Sequence, residues 1–210
     1  MSEIQITHYY YPNQLGRIIL QAMEEVVGTT GLKAVLNQSG ISQYMDNFPP
    51  NNLDLQFKFE YVAGIQQSLE DIYGPRGGRG LAMRTGRACF KHGLREYGPI
   101  LGFTELTFRL LPLDEKMRTG AAFFAEIFNR FSDQRVEISE DAECFYWKIV
   151  RCPVCWQRTT DAPACHLAVG LLQEALYWVS SGKFFNVEET QCVAKGDEVC
   201  LIVVDKKSIE

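Results

Sequence analysis

Histidine is scarce, basic charge is in deficit, and cysteine is missing from the first 88 of the 210 residues. Three histidines, His8, His92 and His166, leave little material for acid–base work, and no motif fixes any of them as a general base. Lys plus Arg total 21 against 26 Asp plus Glu, for a net charge of -5 and no basic stripe, which argues against a nonspecific nucleic-acid binder. Apolar stretches such as 167–172 stop far short of the roughly 20 residues of a membrane span. The N-terminus, Met1 to Gln5, carries no basic region followed by an apolar run, so no secretory signal is expected and the cytoplasm is the expected compartment. No Gly-x-Gly-x-x-Gly lies between a strand and a helix, which removes the nicotinamide fingerprint. The glycine-rich stretch from Pro75 to Gly80 lacks the Gly-Lys-Ser/Thr ending of a P-loop and reads as a joint between helices. No internal repeat is visible.

What is present is apolar material: 46% hydrophobic and 12% aromatic residues against 22% charged, enough to offset the entropy of ordering a globular chain. The N-terminal third reads as helices. Leu15, Ile18, Ile19, Ala22 and Val26 form a stripe over 12–27, stopped by Gly28. A shorter piece covers 32–36, the prolines and asparagines of 47–52 make a loop, and 57–73 reads as helix closed by Gly74-Pro75. In the next helix, about 80–97, Ala82, Gly86, Cys89, Gly93 and Tyr97 share one face. Two glycines on a helical seam cost about 1 kcal/mol each against alanine and signal close approach of another backbone, within the chain or across a homodimer on the N-terminal helices. Residues 114–131 form a further helix with Asp114 as N-cap.

From residue 134 the period changes to that of strands. Val136 and Ile138, a turn at Glu140-Asp141, and the run from Cys144 to Val150 predict a hairpin. A helix follows from about Pro163 to Gly182, then two strands, about 184–194 and 199–204, turning at Lys195-Gly196-Asp197. The expected fold class is α+β, a helical N-terminal half packed on an antiparallel sheet.

Five of the seven cysteines follow residue 151, a clustering that suggests metal ligation or redox chemistry. Cys192 and Cys200 lie four residues either side of Gly196. In a hairpin pivoting there they would face each other at about 4.5 to 5.5 Å between Cα atoms, suited to a shared ion or to a disulfide. Glu189 has the wrong parity on a regular strand and joins such a site only if the chain turns between Glu189 and Cys192. Cys165, at the start of the penultimate helix, is an available fourth ligand favoured as thiolate by the helix dipole. Cys152 and Cys155 form a Cys-x-x-Cys of their own. It reads as a second metal knuckle, a redox dithiol, a loop with two buried thiols, or a pair that replaces Cys165 and Glu189 around the ion.

The C-terminal signature, Cys165 to Leu172, then Glu189-x-x-Cys192, then Gly196-Asp197-x-x-Cys200 before an apolar strand, resembles the 4-vinyl reductase domain. The segment from Tyr10 to Gly80 is similar to bacterial hydrocarbon-binding proteins that carry this domain. The resemblance implies a single domain over 1–210, with a helical extension at 1–75 and a core at 76–210. It further implies a zinc ion on Cys165, Glu189, Cys192 and Cys200, a small apolar ligand pocket, frequent dimerisation, and a fold shared with a vesicle-tethering subunit and heme-NO-associated signalling domains. A shell of three thiolates and a carboxylate is closed to water and therefore structural. Phe103, Phe108, Phe123, Phe124, Phe128, Phe131, Tyr146, Trp147, Trp156, Tyr177 and Trp178 surround this signature in sequence. Among them Phe124, Phe128, Trp147 and Trp178 are candidates to line a pocket between the helix at 114–131 and the C-terminal sheet. The expected function is non-catalytic binding or sensing of a small hydrophobic or aromatic molecule, with output through a homodimer or a separate signalling protein. The alternative is an enzyme or substrate carrier of tetrapyrrole metabolism.

Overall fold

The computed structural model describes residues 8–98 and 110–209, so Phe103 and Phe108 lie outside the described residues. A short strand β1 (Tyr10–Pro12) leads into helix α1 (Asn13–Gln38). Leu15, Ile18, Ile19, Ala22 and Met23 bury one face of it, the i, i+3, i+4, i+7 pattern of an amphipathic helix. Gly28 does not end the helix. It takes φ 73 and ψ 167, a left-handed excursion that glycine makes at little cost, and the chain resumes helical turns to Gln38.

Strand β2 (Leu55–Lys58) pairs antiparallel with β1, setting Phe57 opposite Tyr11. The expected helix from 57 therefore starts two residues later, because Phe57 is held in a ladder by a partner distant in sequence. Helix α2 (Phe59–Tyr97) is broken at Gly74, φ 74, and resumes at Pro75, whose missing N–H is no loss in a first helical turn. The glycine-rich joint of 75–80 is thus helical rather than a turn.

Helix α3 (Leu113–Phe131) begins one residue before the expected start, so Asp114 lies with Glu115 in the first turn, where carboxylates oppose the helix dipole, rather than at the cap, which is Pro112. It leads to β3 (Arg135–Glu140) and β4 (Cys144–Arg151), then to helix α4 (His166–Val179), β5 (Phe184–Gln191) and β6 (Cys200–Ile209). The four strands form an antiparallel sheet in the order β3-β4-β6-β5. Alternation puts Phe145, Trp147 and Ile149 of β4, Ile202 and Val204 of β6, and Phe185 and Val187 of β5 on the buried face, where they join one apolar core with α1 through α4.

The glycine seam finds its partner inside the chain. A Cβ on Gly86 would lie 2.1 Å from the Leu167 carbonyl oxygen, and one on Gly170 would lie 2.0 Å from that of Met83, so α2 and α4 approach backbone to backbone through reciprocal glycines. Gly93 meets nothing within 4 Å. The stripe on α1 is likewise buried in the core, so neither feature is left over to motivate a homodimer. Among the described residues, no helix is long and apolar enough to cross a membrane.

Candidate metal centre and apolar cavity

Four chain segments converge at one end of the sheet. Strand β6 enters there at Cys200, opposite Ile149 near the exit of β4, and the loop leaving β4 carries Cys152 and Cys155. Strand β5 exits beside them through Glu189 and Cys192, and helix α4 starts there with Cys165 as its N-cap. Cys192 is not paired across a ladder with Cys200. A register shift between Glu189 and Gln191, followed by a 3-10 turn over Val193–Lys195, lifts Cys192 off the strand. The turn is closed by the Asp197 carboxylate accepting the Cys192 N–H at 2.8 Å, and the Val193 N–H points to the Cys200 sulfur at 3.4 Å. The same irregularity resolves the parity problem. Glu189 sits inward in the alternation of β5, and the bulge brings Cys192 to its side.

All five thiols are buried, as is Glu189. Sulfur–sulfur separations are 3.5 Å for Cys152–Cys165, 3.3 Å for Cys155–Cys200, 3.7 Å for Cys165–Cys200 and 3.9 Å for Cys165–Cys192. Zinc–sulfur bonds of about 2.3 Å in a tetrahedron place ligand sulfurs about 3.8 Å apart, so the cluster has the dimensions of a thiolate metal site. Two sets of four ligand atoms each lie within 4.8 Å of one another: Cys165, Glu189, Cys192 and Cys200, and Cys152, Cys155, Cys165 and Cys200. The cluster can hold a metal ion.

Electrostatics point the same way. One Glu189 oxygen, Oε2, accepts the Cys165 N–H at 2.7 Å at the start of α4, while Oε1 is buried without a hydrogen-bond partner among the described residues. Burial raises the Glu189 carboxyl above its ordinary range, and the contacts to Cys165 only partly oppose this. Contacts with the neighbouring thiols, Cys152 first, drive Cys155 down and Cys165 up. Packed thiols without a cation cannot all ionise together, and a bound divalent ion removes that conflict. His166, next to Cys165, is pushed down to about 4, first by burial and then by the charge of Arg79, and stays neutral.

The second feature is apolar. A cavity of about 80 Å³ lies between α3 and the sheet, lined by Phe124, Trp147 and Trp178 with Phe90, Leu172 and Val204 among its other walls. A neighbouring cavity of about 60 Å³ touches Phe128, and the two share Phe90, Phe124, Ile127, Trp147 and Leu172 as walls. Phe124 stands between them, its ring centroid 5.5 Å from that of Trp147 and 5.2 Å from that of Phe128. Sequence reasoning did not single out the polar edge of the second cavity. There Tyr11 donates to Gln134, burial pushes the Cys89 thiol up to about 12, and the Tyr97 hydroxyl is buried without a partner among the described residues. Tyr97 and Cys89 stood on the glycine seam, so their face of α2 was legible although their role beside a cavity was not.

Residues 145–206 match the family model of the 4-vinyl reductase domain. That stretch has the features of a 4-vinyl reductase domain. It spans β4 through most of β6 and contains all six residues of the metal-competent cluster. No curated protein matches the chain in sequence. Solved structures similar to it include an H-NOX protein from S. oneidensis in the Fe(II)NO ligation state, at TM-score 0.57 and 12% identity over 92% of this chain and 99% of that one. An unliganded Fe(II) H-NOX protein from K. algicida matches at TM-score 0.55 and 13% identity, covering 95% of this chain and 98% of that one. A structure concerned with heme distortion in the H-NOX family matches at TM-score 0.57 and 13% identity, over 95% and 97%. At these identities the likeness is one of α+β fold.

Proposed function

We propose that this protein binds a small hydrophobic or aromatic molecule between α3 and the sheet, and that zinc on Cys165, Glu189, Cys192 and Cys200 braces its 4-vinyl reductase domain around that site. The observation that carries the reading is the pair of apolar cavities sharing the Phe124 wall. An engineered cavity of about 150 Å³ takes up benzene, and the two lobes approach that volume once Phe124 rotates. The buried Tyr97 hydroxyl offers the ligand one hydrogen bond, which favours a ring bearing a single oxygen over a bare hydrocarbon. Occupancy would be passed to a separate signalling protein.

The H-NOX structures raise heme as an occupant, and tetrapyrrole metabolism raises a vinyl porphyrin. The residues here do not fit either. None of the three histidines lines either cavity, burial pushes the Cys89 thiol and the Tyr97 hydroxyl up so that neither offers an anionic ligand, and a macrocycle needs a slot on the order of several hundred Å³. Thermal shift with benzene, phenol, indole and hemin tests the reading. A ligand at about 100 times its dissociation constant stabilises by ~2.7 kcal/mol, or roughly 5 to 11 °C for a chain of this size. Stabilisation by phenol or indole is expected. A shift with hemin alone would overturn the small-ligand reading.

A further inference from the structure

We propose that the cysteine cluster is a dinuclear zinc site in which the Cys165 and Cys200 thiolates bridge two ions. Cys152 and Cys155 complete one tetrahedron, and Glu189 and Cys192 complete the other. This rests on the zinc reading above and extends it to Cys152 and Cys155, which that reading leaves without a role.

The six ligand atoms cannot surround one tetrahedral ion, yet they fall into two complete tetrads whose common members are Cys165 and Cys200. Two tetrahedra sharing an edge need that count, two bridging ligands and two terminal ligands on each ion. The shared edge is 3.7 Å long, and with metal–sulfur bonds of about 2.3 Å it sets the two ions roughly 3 Å apart. Cys152 and Cys155 approach opposite ends of that edge, at 3.5 Å from Cys165 and 3.3 Å from Cys200. Cys192 lies 3.9 Å from Cys165, and neither tetrad groups it with Cys152 or Cys155. Glu189 Oε1 is the atom that a single ion in the four-cysteine set would leave buried and unpaired. A single ion in the Glu189 set would leave two further buried thiols packed against its own ligands. Two ions serve every group. Five thiolates and one carboxylate exceed the charge of two zinc ions by two, the same excess that one zinc carries among four cysteines.

Chain topology fits the division. One tetrad draws its terminal ligands from the loop after β4, the other from the end of β5, while the bridges come from the two regular elements, the first residue of β6 and the cap of α4. The Thr160 N–H donates to the Ala194 carbonyl at 2.9 Å, tying the loop after β4 to the turn after Cys192.

The test is metal stoichiometry on the full chain, stripped of metal and reloaded with zinc, counted by native mass spectrometry. Two zinc ions per chain are expected, falling to one in Cys152→Ser with Cys155→Ser and to one in Glu189→Ala with Cys192→Ser. One ion in the saturated wild-type chain overturns the dinuclear site and leaves the single-zinc reading standing, whereas no ion overturns both. Titration with cobalt(II) reads the bridge. If Cys165 and Cys200 are shared, the paramagnetic signal rises to one equivalent and falls toward two as the ions couple. A signal that doubles between one and two equivalents overturns the bridging.

Discussion

The reciprocal glycines between α2 and α4 allow a quantitative test on one residue. In Gly86→Ala the new Cβ would stand 2.1 Å from the Leu167 carbonyl oxygen and 2.7 Å from the Leu171 nitrogen. An ordinary carbon–oxygen contact is more than about 3 Å, so α4 must retreat by about 1 Å or tilt. Both obstacles are backbone atoms of a helix, so no side-chain rotation relieves them. Overpacking of this kind costs about 1 to 3 kcal/mol, against a gain of up to about 1 kcal/mol from replacing a mid-helix glycine. The net loss is placed at about 1 to 2 kcal/mol, a fall in melting temperature of roughly 2 to 8 °C. Gly93→Ala is the control on the same helix. Its Cβ meets nothing within 4 Å, so only the propensity gain remains and the melting temperature should rise. The effect of Gly86→Ala should also reach the cysteine cluster, because Cys165 caps α4. Differential scanning calorimetry and zinc content measured on both variants decide the matter. Equal stability of Gly86→Ala and wild type would refute the close packing of α2 on α4.

The remaining predictions address separate parts of the molecule. Cys200→Ser, which removes a ligand common to both tetrads, should release bound metal and lose much of the fold, since structural zinc contributes an apparent ~10 kcal/mol or more in small zinc domains; metal analysis with far-ultraviolet circular dichroism checks both. Ala121→Phe places a ring in the cavity beside α3 and should abolish the thermal shift with aromatic ligands while leaving metal content unchanged. Asp141 closes the β3–β4 turn by accepting from the Tyr146 hydroxyl and from the N–H groups of Cys144 and Glu143, contacts that lower its carboxyl to about 2. A depressed folded value means the contribution is complete above the ordinary 3.8 and is lost as pH falls through about 2, so Asp141→Asn should flatten the dependence of stability on pH in that window.

The α+β architecture was legible because it rests on periodicity. Leu15, Ile18, Ile19 and Ala22 mark a helix whatever lies around them, and the alternation along 144–150 marks a strand. What escaped depends on partners far away in sequence. Phe57 and Tyr61 are spaced as helix neighbours, yet Phe57 is fixed in β2 by pairing with Tyr11. Gly28 and Gly74 read as stops because glycine is costly inside a helix. Each instead makes a single left-handed step from which helical turns resume, and packing of α1 against α2 holds the segments on both sides.

The metal-competent cluster divides along the same line. The family resemblance put Cys165, Glu189, Cys192 and Cys200 in one set, while the residues alone let Glu189 join only if the chain turned between it and Cys192; the structure makes that turn with a register shift and a 3-10 segment. Symmetry about Gly196 misleads on one point. It suggests Cys192 and Cys200 opposed on two strands, whereas Cys200 is on a strand and Cys192 is in the turn that covers it. Cys152 and Cys155 carried a recognisable spacing but no direction, because the chain from Cys152 to Cys165, 13 positions on, forms a loop with no period to project from. Their destination is set by where β4 ends. With Ile149 paired to Cys200, the chain leaving β4 has only a few residues before it passes the start of β6, so the thiols at 152 and 155 are delivered to the same end of the sheet as Cys200. Strand register, a property of two distant segments, therefore assembles the ligand cluster that neither segment's local sequence declares.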